Sequence, residues 1–372
     1  METASEFEIF LVTAPGLEDL LCAEAAEQGF RNPRAEPGGV TVAGGWAEVR
    51  RANLTLRGAS RVLARLGAFP VHHLAQLDKR ARRFPWAETF RPDVPVRIEA
   101  TCRGSRIYHA GAAAERIERA IHDALGAPIA KDAPIRILAR IHKDVCTISV
   151  DASGALLHKR GHKEAVNKAP LRENLAALFL RQCGYTGTEP VVDPMCGSGT
   201  FVIEAAEIAA GLHPGRTRAF AFELLAGFDA GAWTATRAAL PAPVPPVHRF
   251  TGFDRDAGAV RMSLANAARA GVAEWTDFHQ QTIGKLVPPE GPPGLVIVNP
   301  PYGARIGEVK KLRALHQSLG RVLMDHFAGW RVGLITNTDD LARATALPFA
   351  TVSGPVSHGG IRVNVYATAP LP

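Results

Sequence analysis

The sequence predicts an α/β protein in which a doubly wound parallel sheet follows an N-terminal α+β region. The run Leu295–Val298 is apolar at every position, which is typical of a strand buried on both faces of a parallel sheet. From residue 171 onward, short apolar strands alternate with helical patterns. Before residue 160, segments 135–141 and Val145–Asp151 alternate apolar and polar residues around a tight polar turn, which indicates a hairpin.

The N-terminal region repeats a strand–helix alternation, which indicates a small α+β unit followed by a second unit of the same kind. The predicted strands are 7–13, 39–43, 61–68, 95–101, 135–141, Val145–Asp151 and 155–158, and the predicted helices are 17–30, 46–60, 73–83 and 106–125.

Segment 161–170 is polar and basic, so it is predicted to be a linker, and segment 213–246 is an aromatic-rich insertion that ends in prolines. Around them, the predicted helices are 171–183, 199–211, 258–270, 309–327 and 339–346, and the predicted strands are 190–193, Phe250–Asp254, 276–282, 295–299, 331–337 and Ile361–Thr368.

Composition limits the class of protein. A chain of 372 residues with 47% hydrophobic and 21% charged residues is expected to fold into two or three domains. No apolar run approaches a membrane span, and the first basic residue is Arg31, which argues against a secretory signal. The five cysteines are odd in number and lack Cys-x-x-Cys spacing, so free thiols in the cytoplasm and no zinc site are expected.

The formal charge of +7 suggests an anionic partner, and two clusters concentrate it. Basic residues beside aromatic ones suit phosphate contacts combined with base stacking. Solvated surfaces of two ordinary elements explain either cluster equally well. The first cluster precedes Phe84 and Trp86 and consists of Lys79, Arg80, Arg82 and Arg83, and the second contains Lys159, Arg160 and Lys163.

A glycine-rich loop, Asp193-Pro194-Met195-Cys196-Gly197-Ser198-Gly199-Thr200, connects a predicted strand to a predicted helix. Gly197 and Gly199 would let a ligand approach the backbone at a helix N-terminus. Val202 stands where a dinucleotide fingerprint needs its third glycine, and the loop lacks the Gly-Lys-Ser/Thr of a P-loop. Asp193 is placed either to accept from a ligand ammonium group or to cap the turn.

Asp254 ends the next predicted strand, where an acid can accept both hydroxyls of a ribose. A simple helix N-cap is the alternative role. The turn Asn299-Pro300-Pro301-Tyr302 follows the apolar strand. Prolines fix its backbone, so the Asn299 side chain and the Pro300 carbonyl offer two rigid acceptors for a planar amino group, with Tyr302 to stack on its ring. A proline-rich turn with a surface tyrosine is the alternative.

With these motifs, residues 171–369 resemble class I S-adenosylmethionine-dependent methyltransferases of the Asn/Asp-Pro-Pro-Tyr/Phe group. Asp-Pro-Met-Cys-Gly-Ser-Gly-Thr together with Asn-Pro-Pro-Tyr-Gly resembles more narrowly the RlmL-like guanine-N2 RNA methyltransferases. The resemblance implies a Rossmann-like catalytic domain over 171–372 after the 161–170 linker. It also implies a ferredoxin-like segment over 1–68 and a THUMP RNA-binding domain over 69–160.

The resemblance implies S-adenosylmethionine as cofactor and Asn299, Pro300 and Tyr302 as catalytic residues. Such enzymes often bind the adenine amino group with an Asp after the third strand; here that stretch has no Asp, and Gln281 or Thr282 is the candidate replacement. The implied cofactor-binding residues are Asp193, Met195, Cys196, Gly197, Ser198, Gly199, Thr200, Asp254, Gln281, Thr282 and Asn299.

The expected function is methylation of an exocyclic base amine in structured RNA, namely guanine N2 in large-subunit ribosomal RNA. Transfer RNA is the alternative substrate, because related THUMP enzymes act on it. DNA adenine-N6 methylation, methylation of glutamine amides and a non-catalytic RNA-binding assembly factor are further alternatives. The basic N-terminal region favours RNA over a protein substrate.

Overall fold

A computed structural model of the chain describes residues 6–164, 171–301, 309–358 and 360–372. Its contacts divide it into two compact units: Met1–Thr13, Cys22–Leu157 and Gly215–Leu240 form the first, and Ala14–Leu21, His158–Pro214 and Pro241–Pro372 form the second. Most of the predicted linker, residues 165–170, lies outside the described residues. Within the described residues, no helix is long and apolar enough to cross a membrane.

The described helices are α1 Glu18–Glu27, α2 Trp46–Thr55, α3 Leu74–Arg82, α4 Ala110–Leu125, α5 Glu173–Gln182, α6 Thr200–Ala209, α7 Ala230–Ala238, α8 Ala257–Ala270, α9 Val309–His326 and α10 Asp339–Ala344. The described strands are β1 Phe7–Val12, β2 Arg31–Glu36, β3 Gly39–Gly44, β4 Arg61–Pro70, β5 Val96–Arg103, β6 Ile135–His142, β7 Val145–Asp151, β8 Val191–Asp193, β9 Phe250–Asp254, β10 Thr276–Gln280, β11 Leu295–Val298, β12 Arg331–Thr336, β13 Phe349–Val352, β14 Val356–His358 and β15 Ile361–Thr368.

One continuous sheet, in the order β2-β3-β1-β4-β7-β6-β5, forms the first unit. β5 and β6 run parallel, and the other described neighbours are antiparallel. β4 pairs with β7 along most of its length, from Leu63 opposite Asp151 to Pro70 opposite Val145. The predicted boundary at residue 68 therefore lies inside β4, and segments 1–68 and 69–160 share a sheet.

The insertion also belongs to the first unit rather than to the C-terminal domain in which the sequence placed it. Its backbone is tied to that unit by hydrogen bonds from Gly215 N to Leu54 O at 3.0 Å and from Phe222 N to Ala152 O at 3.0 Å. A Cβ on Gly215 would lie 2.7 Å from the Asn53 carbonyl oxygen, so this crossing needs glycine.

The second unit confirms the predicted doubly wound sheet, in the order β10-β9-β8-β11-β12-β15-β13 with β14 beside β15. Strands β10, β9, β8, β11 and β12 are parallel, and β15 is antiparallel to β12. On β11, Leu295 and Ile297 face one core cluster while Val296 and Val298 face the other, so the strand is buried on both faces as predicted. The chain reverses its direction of travel across the sheet between β8 and β11, where open α/β sheets bind ligands.

Some sequence predictions were wrong. Residues 155–158 form bends and turns instead of a strand. Helix α4 begins at residue 110, because Arg106 N is held by Asp144 Oδ1 at 2.7 Å and the His109 ring caps the helix by accepting from Ala112 N. The elements that sequence patterns missed are β2, β13, β14 and α7.

Candidate active site

Three functional candidates come together at one rim of the second sheet. β8 is hydrogen-bonded in parallel to both β9 and β11, so the carboxyl ends of the three strands are neighbours. Asp193 ends β8, Asp254 ends β9 and Asn299 follows β11 directly. Adjacent strands lie about 4.8 Å apart, so the structure brings these three residues to one site.

The two loop glycines are needed for different reasons. Both have a positive φ, 56° for Gly197 and 82° for Gly199. A Cβ on Gly197 would meet no described atom within 4 Å, whereas a Cβ on Gly199 would lie 3.1 Å from the Phe278 ring and from Ser263 Cβ. Gly197 therefore leaves room for a ligand, and Gly199 permits close packing of α6 on the sheet.

Asp254 fixes the loop and keeps accepting capacity. Its Oδ2 accepts from Gly197 N at 3.0 Å, and its Oδ1 accepts from Asp256 N at 2.9 Å. The alternative role as the N-cap of α8 is wrong, because Asp256 occupies that position and accepts from Gly258 N at 2.7 Å. An ionised carboxylate has about four lone-pair sites, so two of them remain for ligand hydroxyls.

Asp193 is 3% exposed, and its Oδ1 accepts from Met195 N at 3.0 Å, the turn-capping bond that was its alternative role. Burial raises the pKa of this carboxyl to about 8, and the negative charge of Asp254 raises it further. A cation placed beside Asp193 would counter that shift, since it favours the ionised form. Contact with a ligand ammonium group stays a prediction.

The side chains of Cys196, Ser198 and Thr200 are buried, so they pack inside the protein while the loop backbone faces outward. Burial raises the pKa of the Cys196 thiol well above its ordinary value, and its Sγ lies 3.8 Å from Ser263 Oγ. The Thr200 hydroxyl accepts from Lys163 Nζ at 2.8 Å. Met195, half-buried, is the other non-glycine side chain in the predicted loop set.

Two residues that hold this loop were not predicted. Ser263 Oγ donates to Gly197 O at 3.0 Å, and Asn266 Nδ2 donates to Ser198 O at 3.0 Å. Both side chains are fully buried on α8. Their sequence signal is a pair of polar residues three apart on the buried face of an Ala-rich helix, which is the spacing that places both on one side.

Gln281 and Thr282 follow β10 at the same rim, beside the end of β9. Gln281 N donates to Asp254 O at 2.8 Å, and Gln281 Nε2 donates to Lys285 O at 2.9 Å. The second bond fixes the amide so that Oε1 is the side-chain acceptor left over. Thr282 is exposed. Either residue stays a prediction for the adenine amino group, with neutral groups in place of a carboxylate.

Asn299 carries the clearest sign of an incomplete hydrogen-bonding environment. Its Oδ1 is buried, and it accepts no hydrogen bond from any described residue. Pro300 is buried next to it, and Pro301 is exposed. Buried acceptors in folded proteins are nearly always paired, so this atom calls for a donor from a ligand. Tyr302, the predicted stacking residue, lies outside the described residues.

The first basic cluster lies on α3 in the first unit. Lys79, Arg80 and Arg83 are exposed and line a groove together with Phe69 and Phe84, whose ring centroids are 6.3 Å apart. Arg82 differs from them, because it pairs with Asp78 at 3.0 Å and with Asp123 at 2.5 Å. Trp86 is buried, and its indole N–H donates to Ala81 O at 2.7 Å, so it is part of the core.

The second basic cluster is not the continuous basic surface that the sequence suggested. Arg160 is 1% exposed and pairs with Glu204 at 2.5 Å and Glu207 at 3.4 Å. Lys163 is also buried, donating to Leu171 O and lying 3.7 Å from Glu173. The RNA-binding predictions for Arg160 and Lys163 therefore do not fit the structure, because both cations are committed to buried pairs. Lys159 is exposed.

Comparison with known protein families gives three matches that together account for most of the chain. An RlmL ferredoxin-like domain matches residues 8–63, a THUMP domain matches residues 71–151, and an RMKL-like methyltransferase domain matches residues 160–361. The third match spans more than half of the sequence and contains the glycine loop, Asp254 and Asn299.

Solved structures match over the full length. A "possible methylase" from Clostridium difficile 630 is 27% identical with a TM-score of 0.89, covering 99% of both chains. SMU.472, a methyltransferase candidate crystallised with S-adenosylhomocysteine, is 25% identical with a TM-score of 0.88, covering 99% of both chains. A predicted N6-adenine-specific DNA methylase from Listeria monocytogenes is 27% identical with a TM-score of 0.86, covering 99% of this chain and 97% of that one.

Three features of the rim fit a nucleoside methyl donor: the open space at Gly197, the remaining acceptor sites of Asp254 and the buried Oδ1 of Asn299. The chain belongs to the RMKL-like methyltransferase family, and it is an S-adenosylmethionine-dependent methyltransferase whose catalytic domain follows an RlmL ferredoxin-like domain and a THUMP domain.

Proposed function

We propose that this enzyme methylates guanine N2 in structured RNA and that its substrate is large-subunit ribosomal RNA. The observation that carries the proposal is the buried Asn299 Oδ1, which lacks a donor among the described residues and lies at the same rim as Gly197 and Asp254. An acceptor in that place is suited to an amino group brought beside the methyl donor.

When bound, S-adenosylmethionine supplies a methyl group on a positively charged sulfur. The Gly197 backbone would lie against it, since a Cβ there would meet open space. Asp254 would accept the ribose hydroxyls through its remaining lone pairs, and its two backbone bonds hold the carboxylate in one orientation. Loop and acid are thus fixed before the ligand arrives, which lowers the entropic cost of binding.

Asn299 and Pro300 would activate the acceptor by positioning it. The lone pair of an exocyclic base amine is delocalised into its ring, so the amine is a poor nucleophile. Two acceptors, Asn299 Oδ1 and the Pro300 carbonyl, would take its two N–H bonds, direct the lone pair toward the methyl group and stabilise the positive charge that develops. The surplus proton can leave to water after transfer, and Tyr302 is proposed to stack on the base.

RNA as the partner is supported by the THUMP match over residues 71–151 and by the groove of Lys79, Arg80 and Arg83 within it. Exposed cations beside the Phe84 ring suit phosphate contacts and stacking on an unpaired base. Arg82 is excluded from this role, because two carboxylates already neutralise it.

Adenine N6 in DNA is the second candidate. It is favoured by one observation, the 27% identity to the Listeria monocytogenes protein that is named a predicted N6-adenine-specific DNA methylase. An amine at either ring position would satisfy the two acceptors of Asn299 and Pro300, so the corner alone does not separate the bases.

The test is to incubate the enzyme and methyl-labelled S-adenosylmethionine with ribosomal RNA, transfer RNA and DNA from a strain that lacks the gene. Digestion to nucleosides and mass spectrometry then identify the product. The proposal predicts N2-methylguanosine in large-subunit ribosomal RNA. Label in N2-methylguanosine from transfer RNA would correct the substrate, and N6-methyladenine in DNA would establish the second candidate instead.

A further inference from the structure

A row of polar side chains continues from Asn299 across the neighbouring strands. β11 and β12 are parallel, with Val298 opposite Leu334, and β12 pairs with antiparallel β15, with Thr336 opposite Asn364. Asn299 directly follows β11, and Asn337 directly follows β12. These four residues, Asn299, Thr336, Asn337 and Asn364, therefore lie along one rim of three adjacent strands, and we call them the rim row.

Each member of the rim row presents a buried atom without a partner. Among the described residues, none forms a hydrogen bond with Asn299 Oδ1, Thr336 Oγ1, Asn337 Oδ1 or Asn364 Oδ1. Thr336 is completely buried. Unpaired buried acceptors are unfavourable, and a sheet core built only for stability would carry apolar residues at these positions. Their concentration beside Asn299 points to a ligand with several N–H donors.

The orientation of Asn364 is fixed by a chain of hydrogen bonds. Tyr366 OH donates to Asp339 Oδ1, so its oxygen is left to accept, and Asn364 Nδ2 donates to it at 3.4 Å. Burial raises the pKa of Tyr366, and its bond to Asp339 raises it further, so the hydroxyl keeps its proton. Because the amide nitrogen is used in this way, Asn364 presents Oδ1 as an acceptor.

The chemistry of the row distinguishes the two bases. Beside its exocyclic amine, guanine carries a ring N1–H donor, whereas adenine carries an N1 acceptor. A line of carbonyl oxygens next to the amine site would accept the guanine N1–H and would face the adenine N1 lone pair without any proton between them. A site built to pair with a donor rejects an analogue that lacks it far more strongly than an apolar pocket could.

We propose that Asn337 and Asn364, supported by Thr336, are the specificity-determining residues of this methyltransferase and accept the ring N–H beside the amine held by Asn299. The inference rests on the proposed function in that the acceptor is a base amine. Asn364 acts on selectivity by contact with the base, and Tyr366 and Asp339 are positioning residues for its amide.

The test uses synthetic RNA of the labelled fragment, with either guanine or 2-aminopurine at the target position. 2-Aminopurine keeps the exocyclic 2-amine but has an unprotonated ring N1. We expect wild-type kcat/KM for guanine to exceed that for 2-aminopurine by about 100-fold or more. Asn364→Ala should lower the guanine value about 10- to 100-fold and the 2-aminopurine value less than about threefold, so that selectivity collapses.

Thr351→Ala, an exposed change on the strand β13 beside β15, is the matched control and should leave both values unchanged. Asn337→Ala gives a second reading if Asn364→Ala fails to fold in a thermal melt. Equal losses on both bases, or a weaker cofactor Kd in these variants, would overturn the proposal and leave the function intact. Transfer to adenine N6 by the wild type would instead overturn the proposed function, and the rim row with it.

Discussion

Asp254 Oδ2 accepts the backbone N–H of Gly197 at 3.0 Å, so the carboxylate at the end of β9 is joined directly to the glycine loop at the end of β8. The same carboxylate holds Asp256 N, the first turn of the next helix, at 2.9 Å. One acidic side chain thereby ties two strand ends together, and its remaining acceptor sites face the ligand space that Gly197 leaves open.

Asp254→Asn should weaken binding of S-adenosylhomocysteine about 10- to 100-fold by calorimetry, since a neutral amide loses the charge and one acceptor oxygen. The matched change is Asp256→Asn, two residues away and exposed, whose side chain caps α8 and keeps its acceptor as an amide. This control should bind normally. Equal affinity of wild type and Asp254→Asn would exclude a ribose role for Asp254.

Alanine at the two loop glycines should separate stability from binding. Gly199→Ala places a Cβ 3.1 Å from Phe278 and Ser263 at a positive φ, and we expect it to cost about 1–3 kcal/mol of unfolding free energy in urea. Gly197→Ala meets only the backbone penalty of about 1 kcal/mol, but its methyl group enters the ligand space and should weaken cofactor binding. The reverse order of effects would contradict these assignments.

Asp193 should make the folded state less stable as the pH rises. Its pKa is raised from 3.8 to about 8, so the folded chain retains a proton that the unfolded chain has lost across that interval. Its contribution is fully present below about pH 4 and falls by up to about 1.4 kcal/mol per pH unit until about pH 8. Urea titrations at several pH values should show this slope in wild type and Asp256→Asn, and a flatter profile in Asp193→Asn. An unchanged slope in Asp193→Asn would mean that another group titrates.

The basic groove of the first unit gives a matched pair of RNA-binding variants. Combined Lys79→Ala, Arg80→Ala and Arg83→Ala changes should weaken RNA binding by the full-length enzyme and lower the salt slope by about 0.7–0.9 for each phosphate that is no longer neutralised. Arg82→Ala removes a cation from the same helix turn, but one already paired with Asp78 and Asp123, so it should have a much smaller effect. Filter binding over a salt series measures both. An Arg82 effect as large as that of the others would contradict the difference.

Sequence patterns predicted the second sheet well because each parallel strand is apolar throughout and ends in a motif, as Leu295–Val298 does before Asn299. They failed where an element carries little apolar patterning. Strand β2 reads Arg-Asn-Pro-Arg-Ala-Glu on the sheet edge, so period-two burial leaves almost no trace in it. Charge counts also misled, because Arg160 resembles a surface cation in sequence but is neutralised by Glu204 and Glu207, far along the chain.

The candidate site was foreseeable only where one residue carries the chemistry. Asp254 and Asn299 stand at strand ends, and the strand order decides that those ends are neighbours. The residues that hold the loop, Ser263 and Asn266, act through side-chain bonds to Gly197 and Ser198 carbonyls that follow from helix packing. The pairing of Thr336 with Asn364 depends on strand register, which periodicity does not specify.

The most direct test of the central claim is single-turnover methyl transfer by Asn299→Ala, with cofactor and RNA both saturating. Because the Asn299 carbonyl is proposed to orient the amine and to stabilise developing charge, the rate of transfer should fall by about 100-fold or more. Binding of S-adenosylhomocysteine and the thermal melt should stay close to those of wild type. Transfer by this folded, cofactor-binding variant at the wild-type rate would contradict the assignment of Asn299 as the group that presents the amine.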